Sequence, residues 1–338
     1  TNDIPNWHTK YCCITTTLIF VEVIMRILCL GAGAIGGYFG GRLVEAGADI
    51  SFLVREKRRK QLAEDGICIE SQFGNSQVAV KTIDPSEASG DFDIIILTCK
   101  AYDLPSAIHA IVPFVGSSTG ILPLLNGVAH IELLNATFGT ERVMGGITKI
   151  AVTMTGDGLI KHLNDWRYIT FGEQSGLMSS RVLALKAAFD NTSVVATAVP
   201  HIMQSMWEKI VHLSTVAGMT CAMRASVGDI ASTRLGSDLM IDFLEQNAEI
   251  ARREGFAPSE EFLDEYRQLF RNKDSTYTAS MLRDIQKNGP IEADHILGFM
   301  LDKAICHKIN PDMHRIICAH LQSYERSRAV EAASNAAL

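Results

Sequence analysis

ILCLGAGAIGGYFGGRL, residues 27 to 43, decides how this chain folds. A short apolar run, RILCL from Arg26, ends in a cluster of glycines, continues as the helical IGGYFGGRLVEAG and is followed by a second β-rich run, ISFLV. Strand, turn, helix and strand make a βαβ opening. Gly31, Gly33 and Gly36 stand in G-x-G-x-x-G order at the turn. The first glycine allows the tight turn, the second lets the backbone approach a pyrophosphate, and the third lets helix pack closely on strand. The helix that starts there offers unpaired N–H groups and partial positive charge to phosphates. Gly31, Ala32, Gly33, Ala34, Ile35 and Gly36 are therefore the candidate dinucleotide-binding loop.

The end of the second strand selects the dinucleotide. An acidic residue there suits the ribose diol of NAD, and an arginine suits the 2'-phosphate of NADP. ISFLV ends in Arg55, followed by Lys57, Arg58, Arg59 and Lys60. The expected cofactor is NADP, bound as NADPH, with Arg55 on the 2'-phosphate and most of the remaining basic cluster on a solvated helix face.

Farther along, ICIES and QVAVKTI, separated by FGNS, read as a hairpin. DIIILT (Asp93 to Thr98) and GILPLL (Gly120 to Leu125) are apolar without alternation, as strands buried on both faces of a parallel sheet are. Ligands of doubly wound sheets lie beyond the carboxyl ends of the strands, where this chain places Lys100 and Asn126. Both are candidates for cofactor or substrate contact. Between Arg142 and Val199 the strand-like pieces KIAVTMT, YITFG and SVVATAV, with one helix near Ser179 to Ala188, are expected to complete the same sheet. Beyond Pro200 the pattern is helical, broken at Gly255 to Pro258 and Asn288 to Pro290, and the Ala/Ser-rich end after Arg328 is expected to fray. The expected fold is α/β, with an N-terminal Rossmann-type doubly wound sheet over 25–199 and a C-terminal all-helical domain over 200–338. Residues 1–24 read as an extension ahead of Met25.

Composition narrows the function. A formal net charge of -7 argues against nucleic-acid binding, which needs a basic stripe to replace phosphate counterions. The apolar patch Thr17 to Leu30 contains Glu22 and Arg26, so it is too interrupted to span a bilayer, and no membrane partner is expected. The eight cysteines include no C-x-x-C and mostly lie in apolar runs, which points to a reducing, cytoplasmic setting. Glu292 and His295 form E-x-x-H without the second copy that a di-iron bundle requires. Cys306, His307, His314 and Cys318 lack zinc-finger spacing, so no metal is expected, and GEQSG is not the G-x-S-x-G elbow of a hydrolase.

One lysine stands apart. In MWEKIVHLSTVAG, residues 206 to 218, Lys209 sits among apolar residues on nearly every helical face. A lone lysine of this kind reads first as a snorkelling side chain. The sequence nevertheless resembles the ketopantoate reductase (2-dehydropantoate 2-reductase) family. The resemblance rests on ILCLGAGAIGGYFGGRL, Arg55, TCKAYD, LLNGV, RVMGG, FGE, WEK and SMLRDIQKNGPIEADHILG, in family order over Met25 to about Arg328. It implies reduction of a small-molecule 2-oxo acid by NADPH between the two domains, most simply ketopantoate to pantoate in the pantothenate pathway, and is compatible with a homodimer. Lys209 would be the catalytic lysine and Glu292 the catalytic carboxylate facing the substrate. Ser280 would contact the substrate carboxylate, with Asn126 and Lys100 between nicotinamide and substrate. Burial should lower the Lys209 pKa and Glu292 should raise it. Leu213, Ala217 and Tyr277 stand where the family commonly has asparagine, which keeps open two alternatives: a related dehydrogenase acting on a bulkier, less polar 2-oxo acid, and a protein that binds NADP without turnover. His212 could replace one lost polar group, although a packed helix histidine is the simpler reading.

Overall fold

The computed structural model describes residues 25–84, 86 and 92–336; the extension read at 1–24 lies outside them. The chain runs β1 (Arg26–Leu30), α1 (Ala34–Glu45), β2 (Asp49–Leu53), α2 (Glu56–Asp65), β3 (Ile67–Glu70), β4 (Ser76–Val78) and β5 (Lys81–Thr82). It continues through β6 (Ile94–Leu97), α3 (Leu104–Ile111), β7 (Gly120–Pro123), α4 (Ala129–Phe138), β8 (Met144–Met154), β9 (Ile160–Glu173), α5 (Ser180–Asp190) and β10 (Val195–Ala198). The remaining described residues form α6 (Ile202–Met223), α7 (Val227–Ala231), α8 (Gly236–Arg253), α9 (Glu260–Arg271), α10 (Ser280–Gln286), a π-helical turn at Asp294–Gly298, α11 (Phe299–Cys306) and α12 (Asp312–Ala336).

The first sheet has the order β5-β2-β1-β6-β7 and is parallel throughout. Its central strands are buried on both faces, as their unbroken apolar runs require. Leu28, Ile95, Leu97 and Ile121 enter one core with the helical part of the molecule, while Ile27, Cys29, Ile94, Ile96 and Leu122 enter the other.

That second core is closed by a second sheet. The segment 142–199 does not complete the parallel sheet. β8 and β9 form a long antiparallel ribbon, β9 continues through β3 and β10, and the β3–β4 hairpin joins its edge. Among the described residues, an isolated bridge between Ile121 and Val143 links the two sheets. The signal for this lies in β9, where buried and accessible residues take turns at both ends and none of Leu163 to Tyr168 is buried. A ribbon with one wetted face cannot lie in the doubly covered middle of a parallel sheet. QVAVKTI accordingly divides, its start pairing with β3 and Lys81–Thr82 with β2.

Helix α1 lies between the two sheets, and its glycines permit this. A Cβ on Gly40 would press on the Phe52 ring at 2.7 Å, and one on Gly41 would meet Ile69 at 2.9 Å. Both helix breaks expected after Pro200 occur, with Gly255 at φ +91° and Asn288 at φ +51°. The C-terminal end departs from expectation: α12 stays helical through the Ala-rich tail, consistent with alanine's high helix propensity.

Candidate active site at the strand ends

The carboxyl ends of β1, β2, β6 and β7 point to one cleft, closed from the other side by α6, α10 and the π-turn. Gly31 follows β1 at φ +97°, a left-handed conformation that favours glycine, and its N–H donates to the Leu53 carbonyl at 3.0 Å. A Cβ on Gly36 would collide with the Gly31 carbonyl and the Thr98 hydroxyl, whereas one on Gly33 would meet nothing within 4 Å. Gly36 therefore serves the close fit of helix on strand. Gly33 leaves its backbone open to a ligand at the start of α1, where no side chain caps the helix. These features fit a dinucleotide pyrophosphate. Beneath the turn, the Cys29 thiol donates to the Gly31 carbonyl at 3.3 Å, and burial pushes its pKa up to about 12, as for a packing residue.

Arg55 sits just before α2 with its side chain 79% exposed, and its Nη2 donates to Asp103 Oδ1 at 3.0 Å. It is held at the cleft edge by a pair that a phosphate could exchange. Arg58, expected on the solvated face, turns inward instead. Its Nε donates to the Ala32 carbonyl at 3.0 Å and its Nη2 to the Gly158 carbonyl at 3.4 Å, which fastens the glycine turn to the β8–β9 loop. The sequence hides this role because Gly158 is distant along the chain.

Lys209 projects from the middle of α6 beside the fully buried Ile210 and Val211. Its ammonium donates to Thr148 O on β8 at 2.9 Å and to Asn126 Oδ1, just past β7, at 3.3 Å. Two of its three donors thus meet neutral oxygens, and no carboxylate touches it among the described residues. Burial lowers its pKa to about 8, against the charge of Glu292, which raises it. The side chain retains some accessible surface, but the protein packed around it withholds solvent from the charge.

Glu292, itself buried, accepts from the Ala101 N–H at 2.9 Å and lies 3.6 Å from Lys100 Nζ. Lys100 also donates to Asp284 Oδ2 on α10 at 3.2 Å. Burial lowers the Lys100 pKa, but Glu292 and Asp284 outweigh it and leave the value raised. Four of the expected residues, Lys209, Asn126, Lys100 and Glu292, are therefore brought together. Ser280 is not joined to them. It is exposed at the first turn of α10, and no hydrogen bond among the described residues links it to the others.

The residues that replace asparagine give the helical side a different character. Leu213 packs against the main core and Ala217 is wholly buried in it. Tyr277 turns its hydroxyl to His212 Nε2 at 3.1 Å. The His212 ring lies 4.1 Å from that of Tyr266, and Trp166 approaches Tyr277 edge-on at 6.5 Å. Lys149, next to Thr148, sits 4.7 Å over the Trp166 ring. His212 is thus a packed histidine, and burial lowers its pKa to about 3. Reading the sequence misses the Thr148 carbonyl, Arg58, Tyr266 and the pair His130–His295. Only the histidines leave a trace, four residues after Asn126 and three after Glu292.

Comparison with known proteins identifies the family to which the chain belongs. Residues 27–176 match the family described as ketopantoate reductase PanE/ApbA, and residues 201–325 match its C-terminal region. The chain belongs to this family of oxidoreductases. It is 34% identical over 307 residues to the uncharacterized oxidoreductase YkpB of Bacillus subtilis (strain 168), covering 90% of this chain and 100% of that protein. To the 2-dehydropantoate 2-reductase of Mesorhizobium japonicum it is 27% identical, over 82% of this chain and 93% of the relative. The PanE/ApbA family ketopantoate reductase of Ralstonia eutropha JMP134 has the same fold, with a TM-score of 0.81 at 22% identity, covering 90% of this chain and 100% of that one. D-mandelate dehydrogenase, solved with NADH and anilino(oxo)acetate, shares the fold at a TM-score of 0.79 and 20% identity, over 90% and 99% of the two chains. Among the described residues no helix is long and apolar enough to cross a membrane.

Proposed function

We propose that this protein reduces a 2-oxo acid to the 2-hydroxy acid with NADPH, the sheet-bearing residues 25–199 holding the dinucleotide and the helical residues 200–338 supplying the acid. The observation that carries the proposal is the Lys209 ammonium, dried by burial and bonded only to neutral oxygens, on β8 and just past β7.

Bound in the Gly31–Gly36 turn, the cofactor would supply hydride to the carbonyl carbon. Charge then builds on the carbonyl oxygen, and the third N–H of Lys209 can stabilise it and pass over a proton. Asn126 and Thr148 hold the ammonium in position, which spares the reaction that reorganisation. Lys100, fixed by Asp284 and Glu292, offers a permanent cation on the other side of the cleft, suited to the substrate carboxylate. Arg55 can exchange Asp103 for the 2'-phosphate, which sets NADPH over NADH.

Among acids, 2-dehydropantoate is the first candidate, because the Mesorhizobium relative carries that name. A second reading, a bulkier and less polar 2-oxo acid, is favoured by Leu213, Ala217 and Tyr277 standing in place of the family's amides and by the ring cluster of His212, Tyr266, Tyr277 and Trp166, whose His212 senses the Lys209 charge. Buried polar groups discriminate strongly by being left unpaired, and aromatic walls do so by shape and area. NADPH oxidation measured with 2-dehydropantoate, 2-oxoisovalerate and phenylpyruvate tests both. Turnover of the first supports the parent activity, preference for phenylpyruvate supports the second reading, and NADPH binding with no turnover of any acid would leave a dinucleotide-binding protein without reductase activity.

A further inference from the structure

Of the E-x-x-H pair only Glu292 has a place in the chemistry so far, yet the pair touches both strand-end loops. Glu292 takes the β6 loop through Ala101 and Lys100. Three residues on, His295 takes the β7 loop, packed so closely on Gly127 that a Cβ there would lie 3.3 Å from its ring. Its Nε2 meets Nδ1 of His130, at the start of α4, at 3.3 Å, and the two rings stack at 5.5 Å. The contact with Gly127 sets the His295 ring beside the Asn126–Gly127 peptide, and burial, which lowers the His295 pKa, is opposed by an interaction with the Asn126 backbone that raises it.

We propose that His130, which is buried, and His295 form an imidazole pair that positions Asn126, and through it the Lys209 ammonium, making both histidines positioning residues of the reductase. The need for such a device follows from the loop. Gly127 turns at φ +87°, so the chain between β7 and α4 has freedom that a side chain would remove, and the only polar group Asn126 gives Lys209 is at its tip. His295 restores the constraint from across the cleft.

One assignment of the protons satisfies these contacts best. If His295 Nδ1–H donates to the Asn126 carbonyl, Nε2 is left as acceptor for His130 Nδ1–H. His130 Nε2 is then a bare lone pair, and this is the buried atom that finds no partner. The opposite assignment would leave an N–H unsatisfied there and turn a lone pair of His295 against a carbonyl, a costlier arrangement. Burial lowers both pKa values, that of His130 to about 3, so the pair works as two neutral rings. The π-turn that carries His295 is a widened helical turn of the kind often found at functional sites.

The inference rests on the reductase reading, and the experiment separates the two. With the fastest acid of the three-acid panel, His295→Phe should lower kcat about ten- to a hundredfold, the cost of misplacing a reacting group by about 1 Å, with NADPH affinity unchanged. His295→Gln, which can still donate to the Asn126 carbonyl, should recover most of the loss. Adding His295→Phe to Asn126→Ala should cost almost nothing further, because both remove one linkage. Independently of turnover, the 15N imidazole spectrum of the apo protein at pH 7 should show both rings neutral with the protons on Nδ1. Additive losses in the double variant, equal losses in the Phe and Gln variants, or a His130 proton on Nε2 would each overturn the inference while leaving the reductase standing. If the wild-type protein reduces none of the acids, the reductase reading fails and takes the positioning role with it.

Discussion

Lys209 and Lys100 face the same carboxylate, Glu292, and their pKa values move in opposite directions. Lys209 falls to about 8, while Lys100 rises. The difference lies in what else each ammonium touches. Lys100 has carboxylates at 3.2 and 3.6 Å and a side chain 44% exposed, so its proton is doubly held. Lys209 has two neutral oxygens and dense protein around it, so desolvation prevails over a more distant charge. A group that must give up a proton near neutral pH needs the second environment, and one that anchors an anion needs the first.

The comparison can be broken by exchanging the partners. Lys209→Ala should lower kcat by about 10² to 10⁴, the usual worth of a positioned general acid, without changing the NADPH dissociation constant followed by nicotinamide fluorescence. Lys100→Ala should cost less, about ten- to a hundredfold, and fall mainly on KM for the acid, as loss of one charged hydrogen bond does. Equal effects of the two substitutions on kcat would erase the distinction between acid and anchor. The smallest effect concerns neither lysine. Arg55→Ala should narrow the preference for NADPH over NADH about tenfold in kcat/KM, and an unaltered ratio would remove the 2'-phosphate from Arg55.

The two ends of the cleft also differ in how readable they are from sequence. The glycine turn is legible because its requirement is local: a left-handed turn at Gly31, open space at Gly33 and contact at Gly36 all lie within one βα unit. Lys100 and Asn126 are legible as positions, since buried strands must end somewhere and ligands gather there. Lys209 is not legible from its own helix, where it looks like a snorkelling residue. Its chemistry depends on Thr148 and Asn126, which the chain brings in from β8 and from the loop after β7. The second sheet escapes the sequence for a related reason. β-rich segments declare that they are strands, but only the alternation along β9 says which sheet accepts them. Arg58 and the two histidines stay hidden because their partners lie far away along the chain.

The most direct test is the pH dependence of kcat/KM for reduction. An acid acts only while protonated, and the folded protein lowers Lys209 from 10.5 to about 8. The rate should therefore hold level below that value and fall by about one decade per pH unit above it. Glu292→Gln, which removes the charge that raises Lys209, should move this limb to lower pH. A profile that stays level to about pH 9.5, or the same limb persisting in Lys209→Ala, would contradict the assignment of the proton to this ammonium.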